Sequence, residues 1–215
     1  MPLVEGVNDC HAVYQLIRLV RGTEPSFGIH ECGNDDKVLD SLAARVISAR
    51  PKQKVLGLIL DADIDGISRD GVIQSRRDQI ADKVGDLYEV PAAFPEDGLI
   101  LTPKASIVTA NPLPKLGVWL MPNNKAFGMF EDLLMSSLPE VAADYTTKVV
   151  KQSKRDGIAK YKDTHLSKAV IRTYMAWQDP PDVQYLGLAI QKGAFERVES
   201  ECQQLLDWLT RLFNP

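Results

Sequence analysis

Val55-Leu56-Gly57-Leu58-Ile59-Leu60-Asp61-Ala62-Asp63-Ile64-Asp65-Gly66 is the stretch whose reading decides the fold. Six almost continuously apolar residues run straight into three acids at alternate positions. A strand that is apolar at every position is buried on both faces, as in a parallel sheet covered by helices on each side. Such sheets gather their ligands at the carboxyl ends of the strands. The acids therefore fall where chemistry is expected.

Upstream, Met1 to Val4 is a short apolar run stopped by Glu5-Gly6, a second strand ending in an acid and a turn. Asn8 or Asp9 can cap a helix with the apolar stripe Val13, Leu16, Ile17 and Val20, stopped by Gly22. Phe27 to Cys32 reads as a strand. Asp35 or Asp36 caps a helix carrying Val38, Leu39, Leu42, Val46 and Ile47 that Pro51 halts, and a further helix spans about Gly71 to Val84. Strand and helix in strict alternation imply a doubly wound α/β core.

From Tyr88 to Pro122 the texture changes: short β-like runs (Leu99 to Leu101, Ile107 to Val108, Leu116 to Met121) sit among six prolines. This predicts a core strand at Gly117 to Met121 after a hairpin or loop insertion near 88–115. Beyond Asn124 the pattern is helical, and Phe195, Val198, Cys202, Leu205, Leu209 and Leu212 form one apolar face of a last helix. The expected organisation is an α/β core over 1–125 with a helical part over 126–215 packed on it.

Composition narrows the function classes. The 215 residues are 45% hydrophobic and 25% charged, with a net charge of −4, so nucleic-acid binding would need a local patch. Three widely spaced cysteines, without a CxxC pair, and three scattered histidines argue against zinc sites and disulfide frameworks. The absence of a signal-like N-terminus and of any apolar run near 18 residues makes the cytoplasm the expected location, with no membrane partner.

Residues two apart in an extended chain face one way at ~6.6 Å spacing. Asp61 and Asp63 can thus present two carboxylates to one side, opposite Glu5 if the two strands are neighbours. Clustered carboxylates repel unless a cation lies between them. An all-oxygen donor set favours Mg²⁺, Mn²⁺ or Ca²⁺ over zinc. The alternative is that Asp-rich strand ends form turns or cap the next helix, and Asp65-Gly66 in particular reads equally as a turn.

Val4-Glu5-Gly6-Val7-Asn8-Asp9 resembles the opening motif of Toprim proteins, and Leu58 to Gly66 resembles the second, DxDxDG-like motif, in the same order and separated by a β-α unit. Among Toprim proteins the chain is most similar to stand-alone, uncharacterised members related to the overcoming-lysogenization-defect (OLD) nucleases. That likeness extends through Gly117 to Asn124, Gly128 and Glu131-Asp132. The resemblance implies a Toprim/Rossmann-like, mostly parallel sheet and a metal-dependent nuclease or phosphodiesterase using one or two Mg²⁺ or Mn²⁺ ions. It makes Glu5 a metal ligand or general acid/base and Asp61 and Asp63 direct ligands. Asp9 and Glu131 become candidate further ligands, with Asp65 less well matched. Glu131 reads equally as an acid favoured at a helix N-terminus. An ATPase partner and a role in phage defence are implied too; the chain has no GxxxxGK[ST] loop, so ATP-driven steps would come from a partner.

Between Lys148 and Arg172 stand eight basic residues (148, 151, 154, 155, 160, 162, 168 and 172) and two acids, a local charge of +6 that leaves −10 for the rest. Lys148, Lys151, Lys154, Arg155, Lys160, Lys162 and Arg172 are candidate phosphate contacts, against the alternative of a solvated helix surface. Under the resemblance, Lys168 would stabilise charge at the scissile phosphate. Trp119, Trp177 and Trp208 read as core or partner-facing rather than base-stacking. A non-catalytic Toprim scaffold regulating an ATPase, and an RNA-processing ribonuclease, are the rival functions; a homo-oligomer is compatible with all three.

Overall fold

A computed structural model describes residues 1–47, 54–64, 66–107, 112–181 and 185–213. Pro51, Asp65 and Val108, which carried expectations above, lie outside the described residues. The protein is α/β: a five-stranded, mostly parallel sheet flanked by helices. In chain order the elements are β1 (Pro2–Val4), α1 (Val7–Arg21), β2 (His30–Glu31), α2 (Asp35–Ile47), β3 (Val55–Asp61), α3 (Val72–Val84), β4 (Leu99–Leu101) and β5 (Lys115–Met121). Six helices follow: α4 (Phe130–Ser136), α5 (Glu140–Arg155), α6 (Leu166–Ala176), α7 (Leu186–Gln191), α8 (Val198–Glu201) and α9 (Gln203–Phe213).

The strand order is β2-β1-β3-β5-β4, with β4 alone antiparallel. The chain leaves β1 toward one edge, forms β2, and recrosses to place β3 on the other side of β1. β1 and β3 are therefore the neighbours at which the winding direction reverses, and a crevice opens at their carboxyl ends.

Strand alternation sorts the core into two layers. Leu56, Leu58 and Leu60 of β3, with Leu116, Val118 and Leu120 of β5, pack against Val38, Leu42, Ile80 and Val84 of α2 and α3. Ile59 and Trp119 face the other way, toward α1 and the C-terminal helices, where Leu205, Trp208 and Leu212 of α9 are buried. Residues beyond 125 thus complete one face of the sheet. Gly57 and Gly117 are paired in register, and a Cβ on Gly117 would lie 2.5 Å from Leu212 Cδ2. Their bare backbone lets α9 lie close against the sheet.

Several local expectations shift by a few residues. β2 is only His30–Glu31. Asn34 precedes α2 and its Oδ1 accepts from Lys37 N–H at 2.9 Å, while Asp35 Oδ1 accepts from Asp36 N–H at 2.9 Å within the first turn. Gly6 is the cap residue of α1, and Asp9 reaches back to accept the Gly6 N–H at 3.0 Å. The last apolar face is broken up: Phe195 precedes α8, Val198 lies in it, Cys202 falls between α8 and α9, and Leu205, Leu209 and Leu212 lie in α9. Among the described residues, no helix is long and apolar enough to cross a membrane.

Candidate functional site

Glu5 follows β1 and Asp61 ends β3, so the adjacent parallel strands carry both acids to the same edge. They meet there: Asp61 N–H donates to Glu5 Oε1 at 2.9 Å. The loop after β5 then folds over the end of β3. Ala62 and Gly128 exchange backbone hydrogen bonds at 2.8 and 2.9 Å, and Phe130 N–H donates to Asp61 Oδ1 at 3.1 Å. Gly128 has φ +153°, and a Cβ there would meet Asp132 Oδ2 at 2.7 Å, so the crossing requires glycine. This crossing brings buried Glu131 beside the strand ends.

The result is a cleft of about 340 Å³ lined by Glu5, Asp9, Asp61 and Glu131 on one hand and Lys168 and Arg172 on the other. Both basic residues come from α6, one turn apart. Acids separated by more than a hundred residues and two cations of the basic segment thus share one opening. The other candidate phosphate contacts lie elsewhere: Lys148, Lys151 and Arg155 are exposed on α5, and Lys160 and Lys162 are exposed in the loop that follows. Lys154 is ion-paired with Asp163 and sits over the Tyr161 ring, 4.8 Å from its centroid. Asp63 stands just outside the cleft lining, in the field of Arg76, Lys168 and His165.

The electrostatics are those of acids held against their preference. Burial raises the Glu5 carboxyl from 4.5 to about 7, opposed by the Asp61 N–H bond and by Arg76. Burial raises Asp9 to about 6, with Glu131 adding repulsion and Lys168 and Arg172 opposing it. Asp61 is pushed well above the usual range, first by burial and then by the charges of Glu5, Asp9, Asp63 and Glu131. Asp63 is raised as well, chiefly by burial.

The donor set is chemically suited to a hard divalent cation: every acidic side chain offers oxygen, and a positive ion would remove the repulsion that lifts these carboxyls. Glu5 and Asp61 each commit one oxygen to a backbone N–H and keep a second. Among the described residues, no three Asp, Glu, His or Cys side chains are grouped closely enough to share an ion. Joint ligation therefore requires side-chain rotation from this placement.

Two functional positions escaped the sequence reading. Arg76 is 1% exposed, donates from Nε to the Asp61 carbonyl at 2.8 Å, and pairs with Asp35 at 3.1 Å. It anchors the backbone at the end of β3. The signal was there, because Val72, Arg76, Ile80 and Val84 form a single i, i+4 stripe in which the arginine occupies a core position. A charge in a core stripe demands buried acceptors. Asp132 accepts Met129 N–H at 2.8 Å and the Ser167 hydroxyl at 3.1 Å, tying α4 to α6 so that Glu131 and Lys168 face one cleft.

Fold and site together define an α/β protein with an acidic, lysine- and arginine-flanked cleft at its topological switch point. Over residues 2–214 the chain matches the family described as Protein of unknown function (DUF3226), and it belongs to that family. No curated protein and no solved structure matches it.

Proposed function

We propose that this protein is a Toprim-like, divalent-cation-dependent phosphodiesterase acting on nucleic acid. The observation that carries the reading is the convergence of Glu5, Asp9, Asp61 and Glu131 with Lys168 and Arg172 on one cleft. Phosphodiester hydrolysis needs acids to handle the nucleophile's proton and cations to receive the phosphate, in the same place. Mg²⁺ or Mn²⁺ held by Glu5, Asp61 and Asp63, with Asp9 and Glu131 for a second ion, would polarise the phosphate and acidify water. Glu5, with its carboxyl raised to about 7, is suited to exchange a proton near neutral pH. Lys168 places an ammonium where charge grows on the phosphate oxygens. Arg76 positions Asp61 through its carbonyl and acts only indirectly. Like the Toprim reading itself, an ATPase partner and a place in phage defence rest on motif resemblance.

The test is cleavage of plasmid DNA, single-stranded oligonucleotides and structured RNA in Mn²⁺ and Mg²⁺. Cleavage abolished by Asp61→Ala and by Glu5→Ala is the expected result. Cleavage that survives both substitutions, or none under any condition, counts against the proposal. The same cleft of acids and cations also suits a second reading, a non-catalytic scaffold that binds metal or nucleic acid and regulates an ATPase. Metal binding without turnover, even with the ATPase present, would select it. Cutting confined to one structured RNA would select an RNA-processing role instead.

A further inference from the structure

Two of the three tryptophans are buried in the core, Trp119 and Trp208, their rings 5.8 Å apart. Trp177 is different. It caps the C-terminus of α6, is 49% exposed, and lies 5.8 Å from the ring of Tyr145 on α5, itself 62% exposed. Contiguous apolar side chains at a surface mark sites of interaction. Val141, 81% exposed, extends the apolar patch one turn toward the start of α5. In the opposite direction the same helix presents Lys148, Lys151 and Arg155, all exposed. The acids Glu140 and Asp144 lie at the Val141 end, so positive charge increases from the aromatic pair toward the end of α5.

We propose that Tyr145 and Trp177 form a stacking platform for unpaired bases of a single-stranded nucleic acid, whose backbone runs along the basic half of α5. The inference rests on the phosphodiesterase reading and narrows its substrate class. Aromatic faces beside a basic track are what single strands require, since every base offers a π-face and every phosphate a charge. A duplex, with its bases stacked internally, cannot use the platform. The basic half of α5 leads, through residues 156–165, into α6, the helix that carries Lys168 and Arg172 to the cleft. Lys168 and Arg172 leave α6 on the cleft side, and Trp177 meets α5 on the other. Along the axis of α6 the rise from Lys168 to Trp177 is about 14 Å.

The test is fluorescence anisotropy of a labelled mixed-sequence single strand and of its duplex, titrated with full-length protein in EDTA so that no cleavage intervenes. Expected are a preference for the single strand and a roughly ten-fold or greater loss of its affinity in Trp177→Ala and in Tyr145→Ala, the effect of losing one base–aromatic stack. Duplex affinity should be unchanged and Trp177→Phe should retain binding. Lys54→Ala, at an exposed position before the start of β3 and so at the strand end opposite the cleft, should leave single-strand affinity within about two-fold. Single-strand binding unaffected by both alanine variants overturns the platform. A change of oligomeric state in Trp177→Ala, read by light scattering, overturns it in favour of a self-interface. Duplex cleavage by wild-type protein that never prefers single strands overturns the platform and leaves the phosphodiesterase reading standing. No binding to any nucleic acid overturns both.

Discussion

Replacing Glu5 by glutamine should make the protein more stable, and only at higher pH. Glu5 is held where burial lifts its carboxyl from 4.5 to about 7. An acid with a folded midpoint above its unfolded one binds more protons folded than unfolded between those two values. Stability therefore falls as pH rises from about 4.5 to 7, and the full cost is present above 7. At about 1.4 kcal/mol per pH unit, the gap of roughly 2.5 units corresponds to about 3 kcal/mol, an upper bound because neighbouring acids titrate with Glu5. Glutamine cannot ionise yet keeps a carbonyl oxygen for the Asp61 N–H. Urea denaturation in EDTA should show wild type and Glu5→Gln alike at pH 4 and separated by up to about 3 kcal/mol at pH 8. In thermal melts that is roughly 6–12 °C for a chain of this size. Mn²⁺ should narrow the difference by stabilising wild type more than the variant. A variant less stable at both pH values, or an advantage that does not grow with pH, would refute the argument that burial of an ionised carboxylate dominates at this position.

Arg76→Ala leaves the Asp61 carbonyl without its donor and half-exposed Asp35 without its partner, and should cost about 1–3 kcal/mol in chemical denaturation. Gly117→Ala drives a methyl group to within 2.5 Å of Leu212, and should cost about 1–3 kcal/mol, partly recovered by Leu212→Val in the same chain. Lys168→Ala removes an exposed cation from the cleft, and should lower the cleavage rate by about 10²–10³ with melting unchanged.

The sheet and its order of helices were legible because β3 and β5 are apolar at nearly every position, a pattern that two-sided burial imposes. Glu5 and Asp61 were legible as neighbours because each follows directly on a strand, and parallel pairing carries both carboxyl ends to one edge. The contribution of Glu131 could be named but not placed. Its position depends on the Gly128–Ala62 crossing, a backbone contact between segments without regular periodicity. The basic segment was legible as charge, but its partition was not. Lys168 and Arg172 stand on α6 and line the cleft, whereas Lys148, Lys151 and Arg155 are exposed on α5, a division set by how the two helices pack and not by charge spacing. The stripe around Arg76 marks a buried charge, but its partners, the Asp61 carbonyl and Asp35, lie on other elements and are not set by spacing along α3. Trp119 lies within β5 and Trp208 within α9, whereas Trp177 lies one residue past the end of α6, and its exposure was not legible from the sequence.

Everything proposed for the cleft depends on acids from β1 and β3 holding a cation together, and calorimetric titration of Mn²⁺ into metal-free protein tests that most directly. It should be run at pH 8, where the raised Glu5 carboxyl is ionised. The expected result is at least one ion bound per chain in wild type, with binding lost in Asp61→Asn and weakened at least ten-fold in Glu5→Gln. Absence of binding in wild type, or binding that neither substitution alters, would contradict the account.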